Sequence, residues 1–473
     1  MPAAGLAHTI VASGDIVTMN ARREVLVGGA LAIGVDASGA GVVIDVGSLD
    51  RLRAAHPGAH VHDASGCVVT PGLIDAHQHM TGDPLIRSCI PDLLAPGEAI
   101  TRWALPSHVA HQPADDEVSA MVTCLSLLLA GVTTVVEAGT LAHPNRVAAA
   151  MQASGIRGTI GTWGWDEPGM PFAAPVEESL ARQRDVLERW PRSTLVESRR
   201  VEGWVTLVGH ALVSDELFAG ASDLAREAGT GLTFHMSPTS ADPDAYLARN
   251  GRRPLQHLAD LGVLGPHVLL AHGVWLDDAE VALVLEHDVA IASCPWAYLR
   301  LGQGVTVAGR HADIVEAGGR VALGCDACNA SDHHDLLATA ALAAGLARDG
   351  RVRPTAFGAH EAFDLATIGG ARAIGAGDRV GSIEIGKAAD LVVFDASGIE
   401  WNPRGDVALQ LVWGGVTPTV RDVFVDGRLV VAGRRSTQTD QDAVVAEARQ
   451  RQASLLVRAG LTVPHTWPHV APS

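Results

Sequence analysis

The 473 residues carry a formal net charge of −18, which excludes nucleic acid and anionic membranes as partners, because either requires a basic surface. A hydrophobic fraction of 47% against 19% charged residues marks a globular chain, and Gly, Pro or charge breaks each apolar run before the ~18 residues that a membrane span needs. The length suits a barrel of about 250 residues with a smaller companion.

The amino-terminal stretch "MPAAGLAHTIVASGDIVTMN" lacks a basic segment followed by an apolar one. No secretion signal is expected, and the expected location is the cytoplasm. Residues 1–66 hold short β runs ("TIVASGDIVTMN", "GALAIGV", "GVVIDVG") between Gly/Asp turns, and residues 380–434 repeat that texture in "GSIEIGKAADLVVFD" and "VRDVFVDGRLVVAG". Together they predict one small composite β-sandwich built from the two ends of the chain. Residues 435–473 predict a helix and a tail.

Over residues 67–379 an apolar run of strand length, a polar residue at its end and a helical stretch recur eight times. The runs are "CVVTPGLIDAH" (67–77), "TTVVEAG" (133–139), "RGTIGTW" (157–163), "GWVTLVGH" (203–210), "GLTFHM" (231–236), "HVLLAHG" (267–273), "VAIASCP" (289–295) and "RVALGCD" (320–326). The stretches between them open on capping residues or acids and mostly close on Gly. Eight apolar strands alternating with helices predict an α/β fold, a (β/α)8 TIM barrel.

In such barrels the chemistry sits at the carboxyl ends of the strands. Those ends give His77 and His79, then Glu137, Trp163, His210, His235, His272, Ser293 with Cys294, and Asp326. Histidines and an aspartate around one mouth form a nitrogen and oxygen ligand set suited to Zn²⁺ or Fe²⁺, with a position left for water. The six cysteines are scattered, and Cys325 and Cys328 have no second pair with which to build a zinc ribbon. Lys387 is the single lysine and lies in a turn between two strands. Neither a Schiff base nor a carbamylated lysine bridging two metals is therefore expected.

The stretches "VVTPGLIDAHQH", "LLLAGVTTVVEAG", "LLAHGVWLDDAEVALVLEHDVAIASCP", "LGCDACN" and "VGSIEIGKAADLVVFD" resemble the amidohydrolase superfamily. Within it they resemble the branch of cytosine, guanine and S-adenosylhomocysteine deaminases and triazine hydrolases. The resemblance implies that His77, His79, His235 and Asp326 hold one divalent metal per chain, zinc or alternatively iron. It implies that His272 orients water or polarises substrate, that Asp326 accepts a proton, and that His210 contacts substrate. A homodimer acting on a small molecule is also implied.

The pattern breaks at one place. Deaminases of that branch carry a glutamate three residues after the strand-5 histidine, where this chain has Pro238 in "FHMSPTS". That glutamate passes a proton to a ring nitrogen, which proline cannot do. Three readings stay open. The substrate is a cyclic amide or similar C–N bond cleaved by metal-bound hydroxide with Asp326 as the proton shuttle. Or the protein is an aminohydrolase of a purine-, pyrimidine- or triazine-like ring using a replacement acid such as Glu137, Asp166 or Glu167. Or it binds metal and ligand without turnover. The strand-7 exit "CPWAYLRLGQG" departs from the relatives' "CPxSNxxLGSG", so the substrate-facing loop differs too. Trp163, Trp165 and Phe172 lie on the loop "TWGWDEPGMPF" and could stack a planar ligand or form an apolar lid. His333 and His334 read as an exposed pair at a helix start.

Overall fold

The computed structural model describes residues 7–193, 200–332, 334–468 and 470, so His333 lies outside the described residues. Its centre is a set of parallel strands in chain order. Leu73–Gln78, Val132–Glu137, Arg157–Ile160 and Val201–Gly203 form one sheet, and Val205–Gly209, Leu232–Met236, Val268–His272, Ala290–Ser293 and Val321–Leu323 form a second. Helices such as Pro113–Leu129, Asp215–Glu227 and Leu336–Gly350 intervene. This is the strand and helix order of the TIM-barrel type. The two sheets meet at two seams: the pairing Gln78 with Asp326, where Asp326 N–H donates to His77 O at 2.9 Å, and Trp204, whose N–H donates to Ile160 O at 2.9 Å.

Two of the eight expected strands take a different form. The run 67–77 is two strands. Cys67–Pro71 pairs with Thr9–Val17 and Leu391–Asp395, and only Leu73–Gln78 joins the barrel. Between them Gly72 passes so close to Thr133 that a Cβ would lie 1.9 Å from its hydroxyl. The run 203–210 is interrupted at Trp204, which packs with Ala76, Val136, Leu269, Ala290, Ala292 and Ala322.

The chain ends build a nine-stranded sheet. The sequence predicts a sandwich. The hydrogen bonds join the two ends through one path of eight strands, with His60–Asp63 branching from Thr9–Val17, because Cys67–Pro71 pairs in parallel with Thr9–Val17 and antiparallel with the carboxyl-terminal Leu391–Asp395. Val11, Leu31, Val43, Val69, Leu391, Val393 and Phe424 form its core. The buried Arg157 guanidinium, 2.8 Å from Asp390, ties this sheet to the barrel. The carboxyl-terminal helix Gln441–Arg458 buries Leu455 against Leu85, Ile86, Trp103 and Val118. Among the described residues no helix is long and apolar enough to cross a membrane.

Candidate metal centre

Strand register decides what can meet at the barrel mouth. His235 aligns with Ala271, Ala292 and Ala322 on the three following strands, so at its level the neighbouring side chains are methyl groups and the imidazole has space. His77 and His79 flank Gln78 at the end of the first strand, and their rings sit 5.2 Å apart, edge to face. His79 Nε2 lies 3.2 Å from His235 Nε2, while Asp326 Oδ1 lies 3.4 Å from His79 Nε2 and 3.6 Å from His77 Nε2. His272 joins His77 and Asp326 in a second group whose ligand atoms lie within 4.8 Å of one another. Strand 8 reaches this point only because residue 324 is glycine: a Cβ there would lie 2.8 Å from His77 Cβ and 3.0 Å from Cys294 Sγ.

The surrounding hydrogen bonds aim these groups. Val208 O can only accept, so His235 Nδ1, 2.8 Å away, carries the proton and Nε2 is bare. His79 Nδ1 lies 2.9 Å from Thr140 Oγ1. Thr140 is itself fixed through its N–H to Glu137 Oε1 at 3.4 Å, and Gly139 N–H donates to Glu137 Oε2 at 2.7 Å. Below the site the Asp75 carboxylate accepts from the N–H groups of His77 and Cys325, joining strands 1 and 8. Burial holds His77, His79 and His272 well below the ordinary histidine range and pushes His235 down to about 4, so these imidazoles are neutral and their lone pairs available. Both His77 ring nitrogens and His272 Nδ1 are buried without a hydrogen-bond partner. The bare His235 Nε2 lies 3.2 Å from His79 Nε2 with a carboxylate beside them and the unpartnered His77 ring nitrogens close by, a donor set that fits a divalent metal.

The Amidohydrolase family model matches residues 68–430. The chain belongs to the amidohydrolase family. It is 31% identical over 418 residues to a 5-methylthioadenosine/S-adenosylhomocysteine deaminase of Syntrophobacter fumaroxidans, covering 86% of this chain and 90% of that protein. It is 29% identical over 407 residues to a 5'-deoxyadenosine deaminase of Methanosarcina acetivorans, covering 84% and 89%. The crystal structure of an adenosine deaminase from Xanthomonas campestris with bound zinc matches at a TM-score of 0.87 and 27% identity, over 95% of this chain and 99% of that one. This amidohydrolase is a metal-dependent hydrolase of carbon–nitrogen bonds other than peptide bonds.

Other side chains singled out in the sequence take varied places in this amidohydrolase. His210 lies beside the metal group, its ring stacked 5.6 Å from that of His235, with Nδ1 2.8 Å from Asp242 Oδ2. Burial lowers its affinity for a proton, but the charge and hydrogen bond of Asp242 raise it further, leaving it above the ordinary histidine value. Trp163 does not offer a ligand an open face. Phe172 stacks on it at 4.8 Å and Trp165 at 5.3 Å, His108 meets it edge-on, and 5% of it is exposed. Glu137 has both oxygens engaged by its own loop, and burial pushes it up to about 8. It therefore supports Thr140 and, through it, His79. Asp166 accepts from Ser214 N–H and Glu167 is exposed. Cys294 precedes the helix Pro295–Arg300, and Ser293 O accepts from Gly324 N–H. His334 is buried, with Cys328 Sγ 3.8 Å from its Nε2, because the chain after strand 8 folds inward instead of starting an exposed helix.

Asp242 escaped sequence reasoning. It lies in the helix Ala241–Asn250, seven residues beyond His235, with no spacing signal, and its Oδ2 accepts from both His210 and Ser237 N–H at 2.7 Å. Asp83 was missed as well. Its buried carboxylate follows the first strand and, among the described residues, accepts only from Asn329 N–H, and burial pushes it up to about 7.

Proposed function

We propose that this amidohydrolase removes the exocyclic amino group of a small nitrogen heterocycle of the aminopurine kind, and that His210 with Asp242 does the work of the acid that Pro238 displaces. The observation that carries this reading is the Asp242–His210 pair stacked on His235, next to the turn where the relatives' glutamate would stand. The names of the relatives, deaminases of adenine nucleosides, point the same way.

His77, His79, His235 and Asp326 would hold one ion, zinc in preference to iron, as in the Xanthomonas structure. When bound, the ion supplies Lewis-acid chemistry that activates water for attack on the ring carbon. Asp326 takes one proton from that water and passes it to the departing nitrogen. His210 gives a proton from Nε2 to the ring nitrogen, with Asp242 fixing its orientation, and recovers one from the remaining water hydroxyl as the ring carbonyl forms. His272 orients the attacking water. The C–O bond forms, the C–N bond breaks, and ammonia leaves with one proton of the water while the ring keeps the other.

The reading extends to a cytoplasmic homodimer acting on a free small molecule, which light scattering and cell fractionation test. The test of the chemistry is ammonia release by the zinc-loaded protein from adenosine, 5'-methylthioadenosine and adenine, beside a His210→Gln variant. Release that the variant lacks is expected. Hydrolysis of cyclic amides without any ammonia from the aminopurines would refute the reading.

A further inference from the structure

His272 is held in an unusual conformation by two side chains that neither the metal group nor the substrate reading uses. Its φ is +78°, in the left-handed region that non-glycine residues occupy only when their surroundings impose it. Its carbonyl oxygen accepts from two donors: the Tyr298 hydroxyl at 3.3 Å and His311 Nε2–H at 2.6 Å. A carbonyl cannot donate, so His311 carries its proton on Nε2. The Tyr298 oxygen in turn accepts from Cys294 N–H at 2.7 Å, and the Tyr298 and His311 rings stack at 5.5 Å with 14° between their planes. The Tyr298 ring also meets the His272 imidazole edge-on at 5.9 Å. Tyr298 comes from the helix Pro295–Arg300 after strand 7 and His311 from the helix His311–Glu316 before strand 8. Two separate elements therefore converge on one backbone atom of strand 6.

Tyr298 packs with Val274, Cys294, Ala297 and Ala330, and together with His311 it also lines a cavity of about 130 Å³ beside Val315, Leu323 and Phe357, so open space adjoins both rings and the hydrogen bonds add to the packing the direction that it does not impose alone. Tyr298 also stands at the place where the exit pattern "CPxSNxxLGSG" has asparagine.

We infer that Tyr298 and His311 are positioning residues for the reaction: together they clamp the His272 carbonyl and so set the direction of its imidazole toward the attacking water. The kinetic part of the inference rests on the proposed aminopurine deamination, and the spectroscopic part does not. Tyr298→Phe removes the donor to His272 O and the acceptor of Cys294 N–H while keeping nearly all of the packing volume. In the zinc-loaded variant kcat falls by about tenfold to a hundredfold, the scale of a small misalignment of a reacting group, while KM stays within about threefold and zinc content matches that of the wild type. His311→Gln keeps a side-chain N–H donor and retains more of kcat than His311→Phe.

Histidine-selective ¹⁵N labelling of the zinc-loaded protein reads the clamp without turnover. The His311 Nε2 proton gives a slowly exchanging signal, and the His272 ring signals move in Tyr298→Phe while those of His62, which is bound to Asp422 in the composite sheet, stay in place. Unchanged His272 signals, an unchanged kcat, or a loss of activity that tracks loss of zinc would overturn the inference. If the wild type releases no ammonia from any aminopurine, the functional reading fails and the labelling result alone decides the clamp.

Discussion

The Asp242–His210 pair gives the sharpest test of the chemistry, and comparing Asp242→Asn with Asp242→Ala separates its two tasks. One oxygen, Asp242 Oδ2, accepts from His210 Nδ1 at 2.8 Å and Ser237 N–H at 2.7 Å, and 6% of the residue is exposed. Asparagine can keep an acceptor at that point but removes the charge. Alanine removes both, and leaves the Ser237 N–H of a left-handed turn (φ +54°) and the His210 Nδ1–H without a partner. Each buried donor so orphaned costs about 1–3 kcal/mol. His210 is only half-buried, so the lower end applies to it, and Asp242→Ala should lose about 2–4 kcal/mol while Asp242→Asn loses less than half of that. For turnover, losing an oriented proton donor costs about 10²- to 10⁴-fold, which is roughly 3–5 kcal/mol of barrier. Both variants should therefore fall by at least about 100-fold in kcat, but only the alanine variant should melt several degrees earlier. The assay is ammonia release by zinc-loaded protein, with a thermal melt and elemental analysis on the same samples. An asparagine variant with wild-type kcat and wild-type zinc content would refute the assignment of His210 and Asp242 to proton delivery.

Thr140→Val removes the partner of His79 Nδ1 with little change in volume and should weaken zinc binding by about 10- to 100-fold, read by competition with a chromogenic chelator. Gly324→Ala places a Cβ 2.8 Å from His77 Cβ, so strand 8 must retreat from strand 1. Zinc content per chain should drop while the far-ultraviolet circular dichroism stays near that of the wild type. The buried Glu202 tests the electrostatics outside the site. Burial raises its pKa, but the charge and hydrogen bond of Arg379 lower it further, to a value below the ordinary glutamate range. A depressed folded-state pKa gives stability that is present above the ordinary glutamate value and is lost as pH falls toward the folded one. Arg379→Gln removes the depression, so its acid-unfolding midpoint should move to higher pH, as followed by intrinsic fluorescence.

The parts of this architecture that strand periodicity controls were legible in the sequence. Apolar runs ending in His77, His235, His272 and Asp326 announce both the parallel strands and which side chains gather at their carboxyl ends, because register transmits position from strand to strand. What periodicity does not control was hidden. Asp242, Tyr298 and His311 come from helices after strands 5 and 7, and their reach toward His210 and His272 depends on how those helices dock. The division of 67–77 into two strands had a faint signal in Gly72, masked by the unbroken apolar character on either side. Trp163 and Glu137 were read as facing a ligand because they end strands. In the folded chain an aromatic neighbour and a pair of backbone N–H groups had already engaged them. Pro238 made the missing glutamate visible but not the replacement proposed for it, since no spacing links residues 210, 235 and 242.

Placing Cys67–Pro71 between Thr9–Val17 and Leu391–Asp395 has a consequence for how the protein is made. On the ribosome, the amino-terminal strands emerge first and must wait for a partner encoded near the other end of the message. At about 5–20 residues per second that interval is on the order of half a minute. Throughout it the Cys67–Pro71 edge has an unpaired side, and an edge of that kind invites pairing with a neighbouring nascent chain. Premature termination anywhere before residue 391 would make that exposure permanent, so truncated products should aggregate even when all the metal-facing side chains have already been synthesised.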